Sequence, residues 1–283
     1  MLRKGDLTQG GITGTLLHFT LPMLVGSFLQ QCYNIADTLI VGQCIGAGAL
    51  AAVGSAYTLM VFLISVLLGL AMGSGTVFSL HYGAGNHVAL RRSIFSSFVL
   101  IGIVTLILNV AVFIWLDPIL RLLQVPQDIY GMMRSYSWII FCGIVFTFIY
   151  NFYASLLRAV GDSVTPLWFL AVSVVLNIAL DLFFILQLDW GIQGAAAATV
   201  LAQGVAALGI IIYTYRRRPE LRWHHEDMCF DRTCLKEIAS FSTLTCVQQS
   251  VMNLGILMIQ GLVNSFGTAV MAAFAAAVKI DSF

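Results

Sequence analysis

Val174-Val-Leu-Asn-Ile-Ala-Leu-Asp-Leu-Phe-Phe-Ile185 is the stretch from which the rest of the chain can be read. It lies inside an apolar run over 167–186, and roughly 20 apolar residues of helix are enough to cross a bilayer. Asn177 and Asp181 interrupt that run four residues apart, so they project from one face of the same helix. A carboxylate at membrane depth costs from about 2.5 kcal/mol upward, so such groups face a bundle interior or a water-filled path. Asp37 interrupts another long apolar segment, with Gln30, Tyr33 and Asn34 on the turns just before it. Two helices therefore each carry one acid flanked by amides at helical spacing.

The composition fits that reading. Of 283 residues, 59% are hydrophobic and 10% charged, against about 25% charged in soluble domains. With a mean hydropathy of +0.93, an all-α polytopic membrane protein is expected and a soluble or nucleic-acid-binding domain is not. Residues 1–11 are polar, without a short apolar core and small-residue cleavage site, so no signal peptide is expected. Cys32, Cys44, Cys142 and Cys246 lie in or beside apolar spans and read as packing residues. Cys229 and Cys234 follow His224 and His225, a set of zinc-ligand types without C-x-x-C or H-x-x-x-H spacing. Reduced, solvated side chains are the expectation there, with no cofactor.

Hydropathy predicts seven complete spans over 16–41, 50–80, 93–116, 136–157, 164–186, 191–215 and 238–266. An eighth begins near Ala269. With the N-terminus placed in the cytoplasm, eleven loop cations fall inside and only Arg121 and Arg134 outside, which satisfies the positive-inside rule. Trp115, Trp138 and Trp190 then fall at outer span ends as an aromatic belt. The longest internal polar stretch, 216–236, reads as a cytoplasmic linker between a six-helix lobe over 1–215 and the start of a second over 237–283. Gly46-Ala-Gly-Ala-Leu-Ala-Ala and Gly267-Thr-Ala-Val-Met-Ala-Ala faintly echo one another after the first and seventh spans, a register that sets Asp37 against Met258.

A rise of 1.5 Å per residue puts Asp37 about 8–14 Å, Asp181 about 9–12 Å and Thr199 about 12 Å below the outer boundary. Three polar side chains on three helices thus share a level, as a common site requires. Carboxylate, amide and hydroxyl oxygens suit a small hard cation such as Na⁺, or an exchangeable proton. Elsewhere, Pro22 is expected to bend the first span, and Gly69-Leu-Ala-Met-Gly73 to mark close helix packing. His81 and His87 read as solvated loop-side residues. Lys279 and Asp281 fall in the eighth span with no partner assignable from sequence.

The chain resembles the multidrug and toxic compound extrusion family of antiporters. The resemblance rests on Leu21-Pro22 through Tyr33-Asn-Ile-Ala-Asp37-Thr-Leu-Ile-Val-Gly42, and on Gly83-Ala-Gly-Asn-His87 with Arg91-Arg92. It continues through Leu157-Arg-Ala-Val-Gly-Asp162 with Thr165-Pro166, Asn177-Ile-Ala-Leu-Asp181, and Gly191-Ile-Gln-Gly-Ala-Ala to Thr199. It implies twelve helices in two six-helix lobes, drug or organic-cation export driven by Na⁺ or H⁺, a plasma (inner) membrane setting and a monomeric full-length protein. The same resemblance marks Asp37, Asn177, Asp181 and Thr199 as the cation or proton site. It marks Gln30, Tyr33, Asn34 and Asn151 as lining the adjoining cavity. A twelve-helix member needs about four and a half more helices, so the chain corresponds to one lobe, helix seven and part of helix eight.

Two other readings stand beside export. A lipid-linked oligosaccharide flippase of the same superfamily calls for cationic residues facing a pyrophosphate, and the six predicted spans of the first lobe contain none. An intramembrane aspartyl protease also uses two aspartates, but Ala36 and Leu180 stand where its G-x-G-D signature needs glycine. No enzymatic chemistry is expected.

Overall fold

The computed structural model describes residues 12–222 and 232–281, all of whose regular structure is helical. Nine α-helices follow one another: α1 Ile12–Cys44, α2 Ala47–Gly83, α3 His87–Leu122, α4 Gln127–Cys142, α5 Ile144–Ala159, α6 Val164–Leu182, α7 Gly191–Arg217, α8 Arg232–Asn264 and α9 Thr268–Asp281. A π-helical turn, Phe183–Gln187, extends α6, and a 3₁₀ turn, Pro219–Leu221, follows α7. Short polar caps set the starts. Asn86 accepts from the Ala89 N–H at 3.0 Å ahead of α3, and Asp162 accepts from the Thr165 N–H at 3.0 Å ahead of α6.

Five of these helices are long and apolar enough to cross a membrane, and the pair α4–α5 makes a sixth. That pair corrects the sequence reading of one straight span over 136–157. The helix starts at Gln127, breaks at Gly143 and bends by 47°, which a hydropathy window averages away. α1 is 33 residues long but is not among the five, because Gln30, Gln31, Tyr33, Asn34 and Asp37 crowd polar groups into its second half.

Side-chain contacts fix the register. Ser163 donates to the Phe19 carbonyl at 3.0 Å, and Leu170 lies against Gly26, each pair 144 residues apart. α1 and α6 are thus parallel, and the same separation sets Asp37 level with Asp181. α7 returns antiparallel to α6, with Phe169 against Gly209 and Asn177 against Thr199. The core between α2, α3 and α5 is aromatic. Phe78 and Phe152 meet edge to face at 5.9 Å, and Phe98 lies 5.3 Å from both Phe148 and Phe152.

α8 lies antiparallel along α2. A Cβ on Gly69 would stand 2.6 Å from Cys246 Cα, and one on Gly73 would strike Ser242, so this G-x-x-x-G face exists to admit α8. Where α2 starts and α8 ends, a buried polar knot ties them. Ser55 Oγ donates to Asn264 Oδ1 at 3.0 Å, and Gln260 Nε2 donates to both at 2.8 Å. Asn264 Nδ2 donates to the Leu123 carbonyl at 2.8 Å. At the opposite end His81 Nε2 lies 3.3 Å from Glu237 Oε2, which corrects the expectation that His81 is merely solvated. Its partner is 156 residues away and invisible locally. His87 is exposed.

Candidate functional site: a half-partnered carboxylate between three helices

Asp181 is 0% exposed and Asn177 1%, facing α7 from one side of α6. The Asn177 amide, oriented to satisfy both neighbours, donates to Asp181 Oδ2 at 2.9 Å and accepts from the Thr199 N–H at 3.1 Å. Thr199, 8% exposed, donates its hydroxyl to the Ala195 carbonyl at 3.1 Å, and the Tyr33 hydroxyl of α1 comes within 3.5 Å of Thr199 Oγ1. One atom is left over. Asp181 Oδ1 is buried with no hydrogen-bond partner among the described residues. Buried polar atoms are nearly always paired, so an orphan carboxylate oxygen calls for a proton or a small hard cation.

Asp37 stands within coulombic reach of Asp181 but on the wall of a separate space. It lines a cavity of about 70 Å³ with Tyr33, Asn34, Tyr57, Tyr136 and Thr199. Asn34 is buried, donates to Gln31 Oε1 at 3.0 Å and offers its carbonyl to Thr38 Oγ1 at 2.6 Å. Thr199 and Tyr33 also line a neighbouring cavity of about 310 Å³, together with Asn177. The structure thus gathers Asp37, Tyr33, Asn34, Asn177, Asp181 and Thr199 about the meeting of α1, α6 and α7. Asn151 lies apart from the Asp37 cavity; it lines the larger space and donates to the Thr147 carbonyl at 2.8 Å. Gln30 is exposed and borders both spaces.

Three lining residues went unread in the sequence. Tyr57 and Tyr136 look like ordinary span aromatics and carry no local signal. Gln203 does carry one, since it follows Thr199 by four and so shares its helical face. It hydrogen-bonds Thr147 across to α5. No group of three or more potential metal ligands gathers among the described residues. His224, His225 and Cys229 of the rejected zinc set lie outside them, as do the side chains of Lys279 and Asp281.

In a bundle of membrane-length helices, a buried carboxylate with one unpartnered oxygen beside a cavity is a candidate functional site. The family model described as MatE matches residues 22–183, more than half of the chain, and the chain belongs to that family as a multi-pass membrane protein. It is 32% identical over 288 residues to the probable multidrug resistance protein YpnP of Bacillus subtilis (strain 168), covering 99% of this chain and 63% of that protein. Among solved structures, an inward-facing multidrug resistance MATE family transporter of the MOP superfamily superposes with a TM-score of 0.84 at 24% identity, covering 94% of this chain and 60% of that one. An outward-facing structure so titled gives 0.82 at 21% identity, covering 100% and 69%. The chain therefore spans roughly 60% of the length of the curated relatives it matches.

Proposed function

We propose that this chain forms the first lobe and the beginning of the second in a secondary active transporter that exports drugs or organic cations in exchange for Na⁺ or H⁺. The observation that carries the reading is Asp181: buried, hydrogen-bonded through one oxygen and orphaned at the other, level with Asp37. Binding of the coupling ion at Asp181 supplies the missing partner and removes or neutralises a buried charge. That changes which packing of α1 against α6 and α7 is favoured, as a ligand with unequal affinity for two states must. Asn177 and Thr199 hold the carboxylate in place, and Asp37 with Tyr33 and Asn34 faces the adjoining space. Gln30 and Asn151 border the cargo cavity.

In this reading residues 1–215 are the first lobe, 216–236 a cytoplasmic linker and 237–283 the start of the second. The N-terminus is cytoplasmic, the setting is the plasma membrane, and the full-length carrier works as a monomer. The test is efflux of a fluorescent cationic dye from cells that express the chain extended through twelve spans, under imposed Na⁺ and pH gradients. One gradient should drive efflux, and Asp37→Asn and Asp181→Asn should each abolish it while the protein still inserts. Undiminished efflux by both variants would overturn the proposal.

A further inference from the structure

A second space is much larger than the one beside Asp37. It is an open-sided cleft of about 610 Å³ between α1, α5 and α6, at the end of the bundle where α5 passes into α6. Arg158, in the last turn of α5, lines it with Gln30, Gln31 and Asn151, and Pro22, Met23, Leu167 and Leu170 supply apolar wall. The sequence reading placed no cation within the six spans. Arg158 stands one residue beyond the fourth predicted span, yet the fold aims it back into the bundle.

Among the described residues this guanidinium has no counter-ion. The nearest carboxylate in sequence, Asp162, is already taken: it bonds Arg218 at 3.2 Å and both the N–H and hydroxyl of Thr165. Neither Arg158 nor Gln30 makes a hydrogen bond to another described residue, whereas the Ser163 and Tyr150 hydroxyls on the same wall are spent on the Phe19 and Pro166 carbonyls at 3.0 Å. Among the described residues these donors are left without an acceptor, facing an open polar space. A partly buried guanidinium offers five N–H groups in a fork that fits an oxyanion through two of them.

We infer that this cavity binds the oxyanion head, carboxylate or phosphate, of an amphiphile, with Arg158 and Gln30 as its donors and the apolar wall along α1 and α6 taking its tail. The inference goes beyond the export reading and does not rest on it: it assigns an anionic ligand to a space lined by neither Asp37 nor Asp181. The same chemistry is offered by an anionic phospholipid of the surrounding bilayer and by a free amphiphilic acid.

The experiment uses the purified chain in neutral detergent, with 11-(dansylamino)undecanoic acid and its methyl ester as fluorescent probes. Wild type should bind the acid at least about tenfold more tightly than the ester, the scale of one charge-assisted hydrogen-bonded pair. Arg158→Gln should erase the preference while ester binding stays, which also shows the variant folded. Arg158→Lys, with a charge but no fork, should keep a few-fold preference. Nanodiscs with and without phosphatidylglycerol then separate the sources: displacement of the acid by phosphatidylglycerol assigns the site to lipid, and undiminished binding assigns it to free acid. Equal binding of acid and ester by wild type, or an unchanged preference in Arg158→Gln, overturns the inference. Since no gradient is involved, and Asp181→Asn should leave the preference intact, failure of export and failure of this site are read separately.

Discussion

Two buried polar clusters in this bundle differ in charge and in completeness. The knot of Ser55, Gln260 and Asn264 between α2 and α8 spends its hydrogen bonds on itself, on the Leu123 carbonyl and on the Thr58 hydroxyl, which donates to Gln260 Oε1 at 3.3 Å. The cluster of Asn177, Asp181 and Thr199 between α6 and α7 is tied almost as well, yet leaves one carboxylate oxygen alone. The first is neutral and complete, so it can only hold helices together. The second contains an ionisable group and is one partner short, so its energy depends on what is dissolved nearby. Completeness separates a fastening from a binding site when both are built from the same side-chain types.

Substitution should separate the two clusters, and the largest effect belongs to the incomplete one. Asp181→Asn in the twelve-span protein should reduce ion-driven dye efflux to background, at least about tenfold, because an amide replaces the carboxylate without its charge or its proton chemistry. Asn264→Ala should act on stability instead. It strands the Leu123 carbonyl and takes an acceptor from Ser55 and Gln260, costing about 1–2 kcal/mol in unfolding from mixed micelles. A cost near zero there would mean that the knot is decorative. Thr199→Val removes one weak link, the 3.5 Å approach of Tyr33, so the ion concentration for half-maximal efflux should move only about two- to threefold. The smallest effect is the most telling: Asp181→Asn, read by thermal unfolding, should leave stability unchanged or slightly raised. A buried carboxylate lacking a partner opposes folding, and the neutral amide opposes it less. A marked loss of stability would place Asp181 with the fastenings.

Much of this comparison was legible in the chain before folding. Asn177 and Asp181 advertise a shared helical face by their spacing, and counting residues from the span ends puts Asp37 at a similar depth. The knot was not legible. Ser55 and Asn264 are 209 residues apart, and each alone is an unremarked polar residue in an apolar run. The break after Cys142 escaped because hydropathy reports composition rather than direction, and Gly143 is a single letter in a long apolar window. Arg158 escaped through a boundary: it counts as one of the eleven inner loop cations, whereas the short turn into α6 returns it to a cavity wall.

The π turn Phe183–Gln187, one residue past Leu182, has a bearing on how the carboxylate could move. Such a turn holds one more residue than the α-helix beside it, so the far end of α6 stores a single residue of slack. Stacking of Phe184 on Trp190, with ring centroids 5.1 Å apart, clamps that end to the start of α7. If the slack were drawn in while the clamp held, the body of α6 would screw by about 100° and advance about 1.5 Å. Asp181 would swing off α7 with the backbone hydrogen bonds of α6 re-formed one residue along. The helix is in effect a threaded rod with one loose turn beside its only buried acid, and deleting one residue within 183–187 would lock the thread.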